Sequence, residues 1–248
     1  MAEKEVKGTV HGPDIGIIIG GILFILALCI AIGIVSFFSL KAALYGEYEE
    51  YLSDIIHYVD RHIDDDDLKT CVDTLNRSEK FDELELFMDG IKEDFSVHFL
   101  YILKPLRNED KTESHIMSVI SAEDYHNRYE DTSGNLYLGW VSDDEYDAAT
   151  VDKLFRTMEK DDICFFESPT DWGVDYTGAL ALRDSNGEAF AVLCADVDIT
   201  EMRKLIGRRM AVIFGIIAAL GVLYSVFYAI WLNKKLKTRG EGQEGSVS

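Results

Sequence analysis

DSNGEAFAVLCADVDI, residues Asp184 to Ile199, decides how this chain is read. Asp-Ser-Asn-Gly reads as a tight turn. The β-rich runs on either side, VDYTGALALR and EAFAVLCADVDI, predict a hairpin and hence antiparallel pairing. Side chains alternate along a strand. Phe190, Val192, Cys194, Asp196 and Asp198 therefore share one face, and Ala189, Ala191, Leu193, Ala195, Val197 and Ile199 the other. The small, alanine-rich face suits a helix packed closely on the sheet. The opposite face carries two carboxylates near its end. Asp198 is read as the cap of a helix that opens at Thr200. Asp196 admits two readings. Either the strand has reached water there, or the carboxylate is buried beside Cys194 and needs hydrogen bonds or a positive partner, both of which a bound ammonium group supplies.

Working back from the hairpin, DICFFES and SHIMSVIS read as strands, and SVHFLYILKPL as a strand ended by Pro105. SDDEYDAATVDKLFRTMEK reads as a helix opened by a capping box, Ser142 with Glu145. EKFDELELFMDGIKEDF is a second helix, and DDDDLKTCVDTLN a third, with Asp64 to Asp67 complementing its dipole. That acidic run lacks the glycine turn and distal glutamate of a calcium loop. Leu44, Tyr48, Leu52, Ile55, Val59 and Ile63 fall at alternating spacings of three and four, one apolar stripe on a long helix. The stripe packs on its own domain or forms a dimer seam. Strands joined by a hairpin and preceded by helices make the fold class α+β, with a long N-terminal helix and an antiparallel sheet.

Two further stretches set the chain's surroundings. Ile15 to Leu40 contains no charged residue, and Met210 to Leu232 repeats the pattern. Spanning a bilayer takes roughly 20 apolar residues as a helix. The expected organisation is an N-terminal arm (1–14), a first transmembrane helix (15–40), an extracytoplasmic domain (41–208), a second transmembrane helix (209–232) and a tail (233–248). The first run is longer than a signal peptide's apolar core and is read as an uncleaved anchor. Lys234, Lys235, Lys237 and Arg239 after the second run favour cytoplasmic ends, although Arg203, Lys204, Arg208 and Arg209 sit on the presumed outer side. Gly16 and Gly20 have the spacing that permits two spans to associate, as in a homodimer.

The net charge of −21 opposes binding to phosphate backbones, so a nucleic-acid partner is not expected. The chain has no phosphate-binding glycine loop, no HExxH and no GxSxG, and its six histidines are scattered. Neither an enzyme, a metal site nor a cofactor is expected. Cys71, Cys164 and Cys194 lie outside the apolar runs with no CxxC pair; Cys164 and Cys194 fall in strands and are read as neighbouring buried thiols or a disulfide.

Trp172-Gly173, ALALRDSNGE and AVLCADVDI, together with the order of elements before them, resemble a Cache domain, the PAS-like extracytoplasmic sensor module of bacterial membrane receptors. The resemblance covers Lys41 to Arg208. It implies a ligand pocket on one face of the sheet, with a late-strand aspartate holding a ligand ammonium group; Asp196 stands at that position. It also places Tyr125, Arg128 and Trp140 in the pocket loop, and lets Asp171, Trp172 and Tyr176 line the same cavity. In the amino-acid-binding pattern the arginine and tryptophan lie almost together; here they are about a dozen residues apart. The implied ligand is a small polar molecule, an amino acid, amine or carboxylate. The implied setting is a bacterial cell membrane, with binding relayed through the second span to a cytoplasmic signalling module or partner. About sixteen residues follow Leu232, so this chain is expected to be a receptor fragment or a stand-alone sensor. The competing expectation is an acidic membrane-anchored interaction protein that binds a partner protein or divalent cations.

Overall fold

A computed structural model describes residues 15–108, 113–142, 147–170 and 173–244. The elements run α1 (Ile15–Asp60), α2 (Asp65–Thr74), α3 (Glu79–Asp94), β1 (Phe99–Arg107), β2 (Ser114–Ser121), α4 (Tyr125–Tyr129), α5 (Ala148–Met158), β3 (Cys164–Thr170), β4 (Gly173–Arg183), β5 (Ala189–Asp198) and α6 (Thr200–Glu244). The strands form one antiparallel sheet in the order β2-β1-β5-β4-β3. This is the α+β class expected. The chain divides into two compact units, the apolar helical segments and Ala43–Arg203.

In the first unit, α1 and α6 each carry a run long and apolar enough to cross a membrane. Large side chains along them, among them Phe24 at 68% exposure and Phe227 at 78%, stand outside any protein core. Exposure of this kind along a whole helix is what a lipid-facing surface requires.

The second unit is built on the hairpin. Asp184 Oδ1 accepts from the Asn186 and Glu188 amides at 2.9 and 2.8 Å, and Gly187 takes φ +82°, which closes the turn. Both faces of the hairpin strands are buried. On the alanine-rich face, Gly178 of β4 pairs with Ala195 of β5, and a Cβ at Gly178 would meet Ile56 Cδ1 at 2.8 Å and Leu52 Cβ at 3.3 Å. Only glycine lets α1 lie this close. Leu52, Ile55, Ile56 and Val59 of α1 are buried, so the apolar stripe packs on its own domain. Burying each contributes about 2 kcal/mol. On the opposite face, Val151 and Leu154 of α5 cover Leu103, Val192, Cys194 and Ala179.

Caps and strand ends match the sequence in part. Asp64 caps α2 by accepting from the Asp67 amide at 3.1 Å, and the Thr200 amide at the start of α6 donates to Asp198 Oδ1 at 2.7 Å. The capping box at Ser142 is corrected. Asp147 caps α5 instead, accepting from the Thr150 amide at 2.9 Å, while Ser142 bonds to Ile116 beside β2; Glu145 lies outside the described residues. Pro105 does not end β1, which runs to Arg107. Its partner Ile116 turns its own N–H and C=O outward to Ser142, so the pair with β2 exchanges no ladder bonds; the missing proline N–H falls on the β5 side, where pairing ends at Leu103. Cys164 and Cys194 share a cross-strand row but are separated by Ala179 of β4. Two strand spacings, about 10 Å, exceed the reach of a disulfide, and both thiols are free.

Candidate functional site

The sheet face that carries Asp196 is ordered in rows. Val192 lies with Leu103 and Ala181, and Cys194 with Tyr101 and Ala179; both rows are covered by α5. One row further, Asp196 lies between Phe99 and Thr177, with Phe166 beyond Thr177. The last row holds Asp198, Asp175 and Ser168. The strand has therefore not reached water at Asp196, which is 5% exposed; neither has Asp175, at 1%.

Buried carboxylates need partners on every oxygen. Tyr101 donates its hydroxyl to Asp196 Oδ2 at 3.1 Å, but Asp196 Oδ1 is buried with no hydrogen-bond partner. Asp175 Oδ1 meets His98 Nδ1 at 2.8 Å, while its Oδ2 is likewise buried and unpartnered. Burial pushes the Asp196 carboxyl up to about 7; the neighbouring Thr177 hydroxyl eases this, and the Asp175 charge adds to it. Thr177 also donates to Ser168 Oγ at 3.4 Å. Burial, first, and the Asp196 charge also push the Cys194 thiol well above its ordinary value, so it stays a neutral core side chain.

His98 reaches this face through a bulge. Its amide donates to the Asp196 carbonyl at 2.7 Å, while Phe99 is the register partner of Asp196. Two residues of one strand then oppose one of the other, which re-aims a side chain. The His98 and Phe99 rings consequently lie 4.1 Å apart, centroid to centroid, with His98 at the rim.

The residues expected at the site are not all gathered there. Tyr176 is corrected: it points to the α1 face, where its hydroxyl donates to Glu49 Oε1 at 2.6 Å and its ring meets Tyr45 edge-on. Burial followed by the Glu49 contact pushes its phenol upward. Arg128 of α4 is bound to α3, with Nε and Nη2 donating to Asp89 at 2.7 and 2.8 Å and Nη1 lying 3.5 Å from Glu85. Tyr125 is 64% exposed, its amide donating to Glu93. Trp140 is half-buried along the outer edge of β2, its carbonyl accepting from the Ser118 amide at 2.8 Å. Asp171 and Trp172 lie outside the described residues.

Sequence reasoning missed Asp175, His98, Tyr101 and Thr177. Asp175 was within reach: in VDYTG, alternation sets Asp175 and Thr177 on the face opposite Tyr176. His98 was not, because the bulge breaks the parity. An open groove of about 340 Å³ lies elsewhere, between α2 and α3, lined by His62, Asp64, Lys80 and Phe87 among others. Among the described residues, no group of three or more His, Cys, Asp or Glu side chains is placed to hold a metal ion.

No model of a known protein family matches the chain, and no curated protein matches its sequence. Among solved structures it is similar to the sensory domain of the Campylobacter jejuni chemoreceptor Tlp3 with isoleucine bound, at 12% identity and a TM-score of 0.33, over 67% of this chain and 65% of that one. It is similar also to the ligand-binding domain of the same receptor in complex with L-valine, at 12% identity and a TM-score of 0.32, over 67% of this chain and 66% of that one. The chain thus spans just under two-thirds of the length of these structures. At such scores the likeness adds nothing to the strand order and carries no ligand across.

Proposed function

We propose that the Ala43–Arg203 unit is a Cache-type sensory domain that holds the ammonium group of a small ligand at Asp196. The observation that carries this reading is the buried, unpartnered Oδ1 of Asp196 beside the equally orphaned Oδ2 of Asp175. A cationic N–H donor would supply both the missing hydrogen bonds and the missing charge. The resemblance of AVLCADVDI and its preceding hairpin to Cache sequences supports the same reading.

The proposal includes the setting. The apolar segments at 15–40 and 209–232 anchor the domain (41–208) outside the cytoplasm of a bacterial cell, with arm 1–14 and tail 233–248 inside. A ligand shifts a conformational equilibrium only by its differential affinity for the two states. The strands of the site have a short connection to α6: the Ile199 amide donates to the Val174 carbonyl at 2.9 Å, and the Val174 amide to Thr200 Oγ1 at 3.0 Å. Val174 precedes Asp175, and Thr200 opens α6. A change at the carboxylates would therefore reach the helix through one residue on each strand. Relay to a cytoplasmic module, and pairing as a homodimer, belong to this proposal.

The test is a melting experiment on the full chain in detergent micelles, against amines, amino acids and small carboxylates. A ligand that binds only the folded state raises the melting temperature. The reading predicts a rise with an ammonium compound that disappears in Asp196→Ala; a panel without effect on a folded chain would refute it. One observation favours the second reading, an acidic interaction protein: the open groove lies between α2 and α3 rather than at Asp196. Ligand-induced stabilisation insensitive to Asp196→Ala but lost in Phe87→Ala would select that reading.

A further inference from the structure

The charges around Asp196 are one-sided. Asp175 and Asp196 together leave two buried carboxylate oxygens unpartnered, and the neighbouring imidazole of His98 is paired with Asp175 at 2.8 Å. An amino acid would bring a third carboxylate, and that group needs a cation of its own. The arginine of the α4 loop does not supply one. Arg128 is bidentate to Asp89, lies 3.5 Å from Glu85 and donates to the Ser121 carbonyl at 3.2 Å. Freeing it would take the bidentate guanidinium from Asp89, whose side chain is 13% exposed, although Glu85 would keep Arg77. Lys92 donates to the Ala122 carbonyl at 2.9 Å and lies 3.5 Å from Glu123. Lys153 donates to the Glu167 carbonyl at 3.0 Å, above the Phe166 ring. Phe99 and Phe166 stand in the row of Asp196 itself, each with a lysine over its ring, Lys92 at 5.7 Å and Lys153 at 5.0 Å.

We propose that the site takes a primary amine without a carboxylate, its ammonium group donating to Asp175 Oδ2 and Asp196 Oδ1, and that it rejects the amino acid with the same side chain. This rests on the sensory reading above and narrows its ligand class. Rejection comes from like charge as much as from a missing partner, because a ligand carboxylate would sit against two buried ones.

Matched pairs test it: isobutylamine against L-valine, and 2-methylbutylamine against L-isoleucine, which differ only in the carboxylate. Each is titrated calorimetrically into the full chain in detergent micelles. The expected result is that each amine binds at least tenfold more tightly than its amino acid, and that Asp175→Asn and Asp196→Asn each weaken the amine at least tenfold. An amino acid that binds as tightly as its amine would overturn the ligand class and leave the sensory reading standing. Amine binding undiminished in both folded variants would place the ligand elsewhere and overturn the site. No heat of binding from either member of either pair would count against both. The comparison within pairs is made on the unmodified chain, so it holds even if a variant fails to fold.

Discussion

The two faces of the sheet bury polar groups in opposite ways. On the α1 face, Tyr176 donates to Glu49, and the Tyr45 hydroxyl to Glu167, which also lies 3.3 Å from Arg203. There the phenols and carboxylates answer one another between α1, β3, β4 and the start of α6. On the other face, two carboxylates more deeply buried than Tyr176 each leave an oxygen unanswered. A buried polar group without a partner costs about 1–3 kcal/mol, and more when charged. The α1 face closes its polar groups on one another; the face that leaves them open is the one we propose for the ligand.

Substitutions can break this comparison. The largest loss is expected from Leu193→Ala, at the centre of the α1 face and fully buried, with stability falling by about 3 kcal/mol in denaturation of the full chain. Gly178→Ala should cost about 2 kcal/mol, because its Cβ meets Ile56 at 2.8 Å and Phe165 at 3.2 Å. Tyr176→Phe removes one hydrogen bond, for a loss of about 1 kcal/mol, and should leave amine affinity unchanged. If Tyr176→Phe instead abolished amine binding, the assignment of that face to structure alone would be wrong. One effect has the opposite sign. The Asp196 carboxyl stands at about 7 in the folded chain against an ordinary 3.8, so the folded state holds its proton between those values. Stability from this group is therefore lost progressively as pH rises from about 4 to about 7. The melting-temperature advantage of Asp196→Asn over the wild type should grow from pH 5 to pH 8; equal differences at both would refute the shift.

Much of this was legible in the sequence, for local reasons. The Asp184–Gly187 turn, the alternation of β5, the α1 stripe and the Asp198 cap depend on residues a few positions apart. The strand following the turn thus has its parity fixed by the hairpin alone. What failed depends on partners far along the chain. Arg128 is an attractive ligand clamp until Asp89, thirty-nine residues earlier, takes its guanidinium. Tyr176 is an attractive pocket aromatic until the β4 register turns it to Glu49. His98 enters the site through one bulge, which no period in SVHFLYILKPL announces.

The most direct measurement is the affinity of isobutylamine for the full chain in micelles at pH 6 and at pH 8. Asp175, His98 and Tyr101 face Asp196, and its carboxyl stands at about 7. Only the ionised form of Asp196 accepts an ammonium group at full strength. Its ionised fraction rises roughly tenfold between those pH values, and apparent affinity follows the competent fraction. Binding is expected to be about tenfold tighter at pH 8 in the wild type, with no such gain in Asp196→Asn. Equal affinities at the two pH values in the wild type would contradict it.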